Sequence, residues 1–398
     1  MPGVAPGLAE AHARFGRIPL PILTEPAISA ARQGVTITEY QAELGGIVSA
    51  ILTASSEARA LFCDDEKVLA GGSLYRNPAL ADVLEVYAHE GPRFVTEGEV
   101  AQAVANLTED AGHLTTGDMR GYQPEWRTPL MLERGGVRIV LNPPPSLGGS
   151  LIAFALQILP YRAGTGTLVQ ALEATTRARI DAAVDSDPQG LARLFSSGLV
   201  ERYRAEVIER APSTRGTTHI SVVDADGMGA ALTLSNGEGC GLIAPGTGIM
   251  PNNMMGEADL MRGGFETWPT DTRLSSMMAP MAVDWPDGRR VMLGSGGSNR
   301  IRTALLQVVL GLVDRGMPLA EAIEIPRLHV EGDEHPKTDF EDLGGDAWRE
   351  AILAAAPDAT VWPDHSMFFG GVHGAETGPQ DGARAAGDPR RAGAARTG

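Results

Sequence analysis

Gly216-Thr217-Thr218-His219-Ile220-Ser221-Val222-Val223-Asp224-Ala225-Asp226-Gly227 is the stretch that decides how this chain is read. His219 to Val223 has the composition of a β-strand, and Asp226-Gly227 is a tight-turn pair. Gly229 to Ser235 then reads as the returning strand. The pattern recurs downstream, where Met278 to Asp284 and Arg290 to Gly294 flank Pro286-Asp287-Gly288. Asn299 next caps a long helix, Arg300 to Arg315, that Gly316 ends. In the first strand Ile220 and Val222 point to one face and Val223 to the other, so both faces need cover. Helices on one side and a second sheet on the other supply it. The economical layering is an α+β fold, a four-layer αββα sandwich.

Outward from this core, the first half reads as helices with clear punctuation. Gly7 to Phe15 is short and amphipathic. Asn77-Pro78 opens another helix, which Gly91 closes. Thr96 and Glu99 have the spacing of a capping box before Val100, Ala103 and Leu107. Leu130 to Leu132 and Val137 to Leu141 form a hairpin through Gly135-Gly136, and Pro143-Pro144-Pro145 stops it. Gly148 to Leu159 and Leu168 to Ala183 return to helix. The Gly-, Ala- and Arg-rich stretch Gly374 to Gly398 suits a disordered tail as well as an ordered one.

Four further segments carry chemistry together with residues 216–227 and in a fixed order. They are Pro143-Pro144-Pro145-Ser146-Leu147-Gly148-Gly149, Pro245 to Asn253, Arg273-Leu274-Ser275-Ser276-Met277-Met278-Ala279-Pro280, and Gly294-Ser295-Gly296-Gly297-Ser298-Asn299-Arg300. In this order they resemble the motifs of the gamma-glutamyltransferase family, whose fold is of the N-terminal-nucleophile hydrolase type. The resemblance covers nearly the whole chain. It implies a large-subunit-like, mainly helical portion over 1–216 and a small-subunit-like portion over 217–398, together one composite domain.

The resemblance also implies a mechanism that can be checked against physical need. The chain cuts itself between Gly216 and Thr217. The freed α-amine, with a pKa near ~7.7–8, then serves as local base for the Thr217 hydroxyl. Gly216 permits the strained geometry of a peptide-to-ester rearrangement. By similarity, Ser235 stands where a family threonine bonds the nucleophile, and Asn236 where a substrate-binding asparagine lies. Ser275 and Ser276 match a pair that holds the substrate α-carboxylate. Gly296, Gly297 and Ser298 match an oxyanion hole of backbone N–H groups, with Gly297 and Ser298 the expected donors. Asn253 and Glu257 belong to a further binding segment, Asn252-Asn253-Met254-Met255-Gly256-Glu257, where the family has Asn-Asn-Gln-Met-Asp-Asp. There Glu257 replaces an acid that binds the substrate α-amine, and Met254 cannot hydrogen-bond as glutamine does. The family's stretch before Met1, with the arginine that clamps the carboxylate, finds no counterpart in Arg14 or Arg17.

The expected activity is cleavage of a small gamma-glutamyl-type amide or peptide, glutathione-like, with no cofactor and no metal. The cleaved fragments would form a heterodimer. An acylase of the same fold for another amide is the first alternative, and an uncleaved, non-catalytic homologue the second.

Bulk properties bound these readings. The 398 residues are 43% hydrophobic with a net charge of -17, which argues against a nucleic-acid partner, since that needs a basic footprint. Cys63 and Cys240 make no disulfide framework or zinc spacing. No apolar run approaches the ~20 residues of a membrane span, and the first residues lack a secretory pattern. A cytoplasmic chain is the expectation. His219, next to the nucleophile but one strand position on, reads as structural. His329, Glu331, Asp333 and His335 read as a surface loop without the register of a metal site.

Overall fold

The computed structural model describes residues 2–109, 112–184, 187, 189–205, 217–257, 260–261, 264, 267–332, 337–378 and 382–397. The chain divides into two compact units. The first comprises Met1–Trp126 and Asn236–Asn253, the second Arg127–Ser235 and Met254–Gly398.

The first unit is mainly helical, with α1 (Val4–Phe15), α2 (Leu20–Gln33), α3 (Pro78–Glu90) and α4 (Glu99–Leu107) as its longer or better-buried members. Asn77 caps α3 as its sequence requires, accepting from the Leu80 N–H at 3.0 Å. Its amide also donates to the Gly248 carbonyl at 2.9 Å, tying the 236–253 segment to this unit. Val83, Tyr87, Phe94, Val100, Val104 and Met119 form the core. The expected Thr96–Glu99 capping box does not form. Thr96 closes a short helical turn of its own, Arg93–Thr96, and its hydroxyl donates to Pro92 O at 3.1 Å. Thr96 belongs to that turn and Gly98 takes the N-cap position, so α4 starts from Gly98 without a side-chain bond.

The second unit is built on six antiparallel strands. These are β1 (Leu130–Arg134), β2 (Val137–Leu141), β5 (Met281–Asp284), β6 (Arg290–Gly296), β10 (Gly371–Gly378) and β11 (Gly382–Ala386), in the order β11-β10-β6-β5-β2-β1. The hairpin of β3 (Thr218–Val223) and β4 (Gly229–Leu234) pairs Thr218 with Leu234 and Val223 with Gly229. Alternation along β6 separates two faces. Val291 and Leu293 join the core with α5 (Leu147–Ile158), α6 (Thr165–Asp181) and α7 (Arg300–Asp314). Met292, Gly294 and Gly296 face the β3–β4 hairpin, where a Cβ on Gly294 would lie 2.1 Å from the His219 ring. Helices, a six-stranded sheet and a second β-layer therefore stack in the order expected from the sequence. α7 is buried along its whole length, as a helix sandwiched on all sides must be.

Further local readings meet the structure differently: Asn299 precedes α7 but makes no side-chain cap bond. The face of β3 toward the sheet carries His219 and Ser221, while Ile220 and Val222 are 50% and 52% exposed. Of the two alternatives left open for the tail, the ordered one holds over Gly371–Gly378 and Gly382–Ala386, which form β10 and β11, and Asp388 and Arg390 beyond them are buried. Their charges are matched: Arg390 bonds Glu341 through Nε at 2.7 Å, and Arg327 meets Asp388 at 2.6 Å. Finally, His329 and Glu331 are not in a surface loop. They lie on β7 (Leu328–Glu331), which is buried throughout and pairs with β8 (Lys337–Glu341), in turn parallel to β9 (Thr360–Trp362). Asp333 and His335 lie outside the described residues, and among those described no group of acids, histidines and cysteines is placed to hold a metal ion.

Candidate active site

Thr217 stands immediately before β3, half-buried, and its hydroxyl lies 3.4 Å from the Ser235 hydroxyl at the far end of β4. The hairpin register makes this meeting, since Thr218 pairs with Leu234 and each neighbour is one residue outward. The strand beneath accommodates the approach. A Cβ on Gly296 would fall 2.0 Å from the Thr217 carbonyl oxygen, so only glycine lets the head of β3 settle there. Gly216 lies outside the described residues.

Beyond Gly296 the backbone turns left-handed, with φ +128° at Gly297 and +48° at Ser298. Positive φ at a serine is uncommon and marks a constrained turn. Helix α7 begins directly after it: Arg300 N–H bonds Gly297 O and Ile301 N–H bonds Ser298 O, both at 3.0 Å. The turn thus sits at the positive end of a long buried helix, which favours negative charge.

The Pro-Pro-Pro-Ser-Leu-Gly-Gly segment has a visible structural task. Ser146 caps α5 by accepting from Gly149 N–H at 3.1 Å, and its hydroxyl donates to Met278 O at 2.9 Å. The first amides of α5, Leu147 and Gly148, donate to Ser276 O at 2.9 and 3.1 Å. The α5 N-terminus therefore grips the 275–278 segment and fixes Ser276 in place. A Cβ on Gly148 would meet Met277 O at 2.0 Å.

These pieces line a small, partly open cavity of about 20 Å³. Its polar wall is Thr217, Ser235, Ser276, Ser298 and Glu257; its apolar wall is Met254, Leu260, Met277, Met278 and Ile301. Five of the expected site residues thus share one cavity. Ser275, its neighbour on the segment, is buried, and Gly297 adjoins Ser298. Asn236 and Asn253 belong to the first unit. There Asn253 accepts from Glu238 N–H at 2.9 Å and donates to the Glu238 carboxylate at 3.1 Å. Met254 already stands in the expected binding segment, whereas Met277 and Met278 give no sign of being cavity wall, because methionine is a common core filler and carries no local signature.

His219 fills the space between the β-layers rather than the cavity. Its Nδ1 pairs with Thr233 Oγ1 at 2.8 Å and its Nε2 with Ser221 Oγ at 2.7 Å. Burial, with a smaller contribution from His373, pushes its pKa down to about 3, so the ring is neutral at pH 7 and serves as a spacer.

A hydroxyl at the head of a strand in stacked β-layers, facing a left-handed turn at a helix N-terminus, defines the N-terminal-nucleophile hydrolase class, and the protein has that fold. The chain belongs to the gamma-glutamyltranspeptidase family, whose sequence profile matches residues 1–398. Among its relatives, the Acylase ACY 1 proenzyme of Pseudomonas sp. (strain V22) is 31% identical over 357 residues, covering 83% of this chain and 64% of that protein. The Glutathione hydrolase proenzyme of Escherichia coli is 29% identical over 370 residues, covering 82% and 63%. The chain spans just under two thirds of the length of these curated relatives. In fold it is similar to the cephalosporin acylase from Bacillus halodurans, with a TM-score of 0.82, 22% identity, and coverage of 98% of this chain and 76% of that one. Among the described residues no helix is long and apolar enough to cross a membrane.

Proposed function

We propose that this chain is a self-processing amidohydrolase or acyltransferase whose nucleophile is Thr217. The Thr217 hydroxyl attacks the Gly216 carbonyl, the peptide becomes an ester, and hydrolysis releases a chain that begins with Thr217. The two fragments, 1–216 and 217–398, stay together as a heterodimer. In turnover the new α-amine takes the hydroxyl proton as the oxygen adds to the donor amide carbonyl. The Gly297 and Ser298 N–H groups receive the oxyanion, the leaving amine departs with a proton, and water or an acceptor amine releases the acyl group. Ser235 orients the nucleophile. The observation that carries the reading is the convergence of Thr217, Ser235, Ser276 and Ser298 on one cavity. The donor is a gamma-glutamyl-type amide, with Glu257 for its amine, and with Ser275 and Ser276 as further contacts.

A second reading, an acylase acting on a non-glutamyl amide, is favoured by the apolar wall of Met254, Leu260, Met277, Met278 and Ile301. The relatives named acylase and glutathione hydrolase are consistent with either donor.

Intact mass of the purified chain and of its Thr217→Ala variant tests the mechanism. Two fragments split at Gly216/Thr217, absent in the variant, are the expected result. One uncut chain in both would leave a non-catalytic homologue. For a self-cleaving chain, turnover of gamma-glutamyl against aliphatic acyl anilides decides the donor.

A further inference from the structure

Behind the Gly297–Ser298 turn lies a buried ionic cluster that the acyl-transfer chemistry does not use. Glu331, at the end of β7, is 1% exposed. One of its carboxylate oxygens accepts from the side-chain amide of Asn299. The other bonds His329 Nε2 at 2.9 Å and faces Arg300 Nη1 at 3.5 Å. His329 Nδ1 in turn meets Thr303 Oγ1, one turn along α7, at 2.8 Å. Asn299 and Arg300 are the two residues that follow Ser298. One carboxylate therefore grips the chain at the exit of the turn through an amide and a guanidinium, and grips α7 a turn later through the imidazole.

The protonation states are fixed by the surroundings. Burial pushes the Glu331 pKa up, but the bond from His329 and the Arg300 and Arg302 charges outweigh it and leave it at about 2. Burial holds His329 at about 4. A neutral imidazole has one N–H, and beside a carboxylate it belongs on Nε2, so Nδ1 accepts from the Thr303 hydroxyl. The Thr303 proton is shared between His329 Nδ1 at 2.8 Å and the Arg300 carbonyl at 3.2 Å, the imidazole being the nearer acceptor.

The turn is also braced from its other side. A Cβ on Gly297 would lie 2.8 Å from Gly370 Cα. The Gly370 carbonyl accepts from Arg327 at 3.2 Å, one residue before β7. The Phe368 ring lies 4.3 Å beneath the Arg300 guanidinium. A buried ion cluster is a poor means of stabilising a core, since apolar side chains of similar volume do as well or better. What it adds is direction: carboxylate bonds set angles that dispersion contacts leave free.

We propose that Glu331 is a positioning residue for acyl transfer, which through Asn299 and Arg300 fixes the Gly297–Ser298 turn so that its amides point at the developing oxyanion. The proposal rests on the reading of that turn as the oxyanion site.

Glu331→Gln and Asn299→Leu test it by two readouts on the full chain. One is hydrogen–deuterium exchange of peptides covering 296–301 against those covering 130–141. The other is kcat and KM on the anilide that the protein turns over. The expected result is exchange at 296–301 faster by tenfold or more with 130–141 unchanged, and kcat lower by on the order of 10- to 100-fold with KM within about threefold. Unchanged exchange at 296–301, or unchanged kcat, overturns the proposal. Exchange rising equally in both regions, or failure of both variants to fold, also overturns it, because Glu331 would then hold the core and not the turn. A parent chain that turns over no amide sinks the functional reading instead, and the exchange readout still decides whether Glu331 sets the turn.

Discussion

Strands β3 and β6 lie against each other and supply the two halves of the candidate site, yet they are held in opposite ways. β6 runs into the Gly297–Ser298 turn with Val291, Leu293 and Ser295 fully buried, and the helix beyond it is enclosed along its length. β3 follows Thr217 and is attached to the sheet by a polar face, His219 and Ser221, with Ile220 and Val222 half exposed on the other. The side proposed to hold the oxyanion is a buried template, and the side of the proposed nucleophile is a hairpin laid on it. This division suits the proposed chemistry. Donors that must meet a developing charge gain from being fixed beforehand, whereas the proposed nucleophile would have to be reached by the cleavage that frees it.

The contrast can be broken most directly at Gly296, where the two strands touch. Gly296→Ala places a Cβ 2.0 Å from the Thr217 carbonyl oxygen and, because β6 cannot yield, β3 must. Displacing the nucleophile by about 1 Å should lower kcat on the order of 100-fold, read by anilide turnover, with the unfolding midpoint near that of the parent. A variant with unchanged kcat would mean that the hairpin adapts freely and that the template picture is wrong.

A smaller effect should come from His219, the main polar anchor of β3. Its folded pKa of about 3 lies below the ~6.5 of an unfolded histidine. Its contribution is therefore complete above pH 6.5 and is lost as pH falls toward 3. Relative to pH 7, the parent should lose about 2 kcal/mol by pH 5 through this group, and His219→Gln should lack that part. Urea unfolding at the two pH values measures the difference. An identical pH dependence in the variant would show that the imidazole is not held neutral between the layers.

The smallest effect sharpens the comparison on its open side. Ile220→Thr removes apolar surface that is already half exposed, and should change the stability of this chain by less than about 0.5 kcal/mol. A much larger loss in the same urea titration would mean that the outer face of β3 is covered.

Much of the candidate site was legible through motifs whose order resembles that of the gamma-glutamyltransferase family, and the backbone agrees with it. The Asp226-Gly227 turn sets the β3–β4 register, and the register alone brings Thr217 to Ser235. The Gly-rich run before α7 stood out by its likeness to a family oxyanion site, and only the structure makes it a left-handed turn at a helix start. The Thr96 cap and the loop expected at His329 and Glu331 differ from the structure for separate reasons. Thr96 is drawn into a helical turn of its own, one turn before α4, whereas residues 328–331 are covered by segments distant in the chain.

The sequence by itself thus determined the α+β layering, the hairpins flanking Asp226-Gly227 and Pro286-Asp287-Gly288, and the chain position of the candidate nucleophile, since periodicity, turn residues and motif order are local properties. Tertiary structure alone decided which face of β3 is buried, that Met254, Met277 and Met278 wall the cavity, and that Glu331 stands behind the oxyanion turn. Those facts depend on contacts between residues far apart in the chain, where a methionine or a glutamate has no local mark of its role. The strands that bring them together do so only after folding.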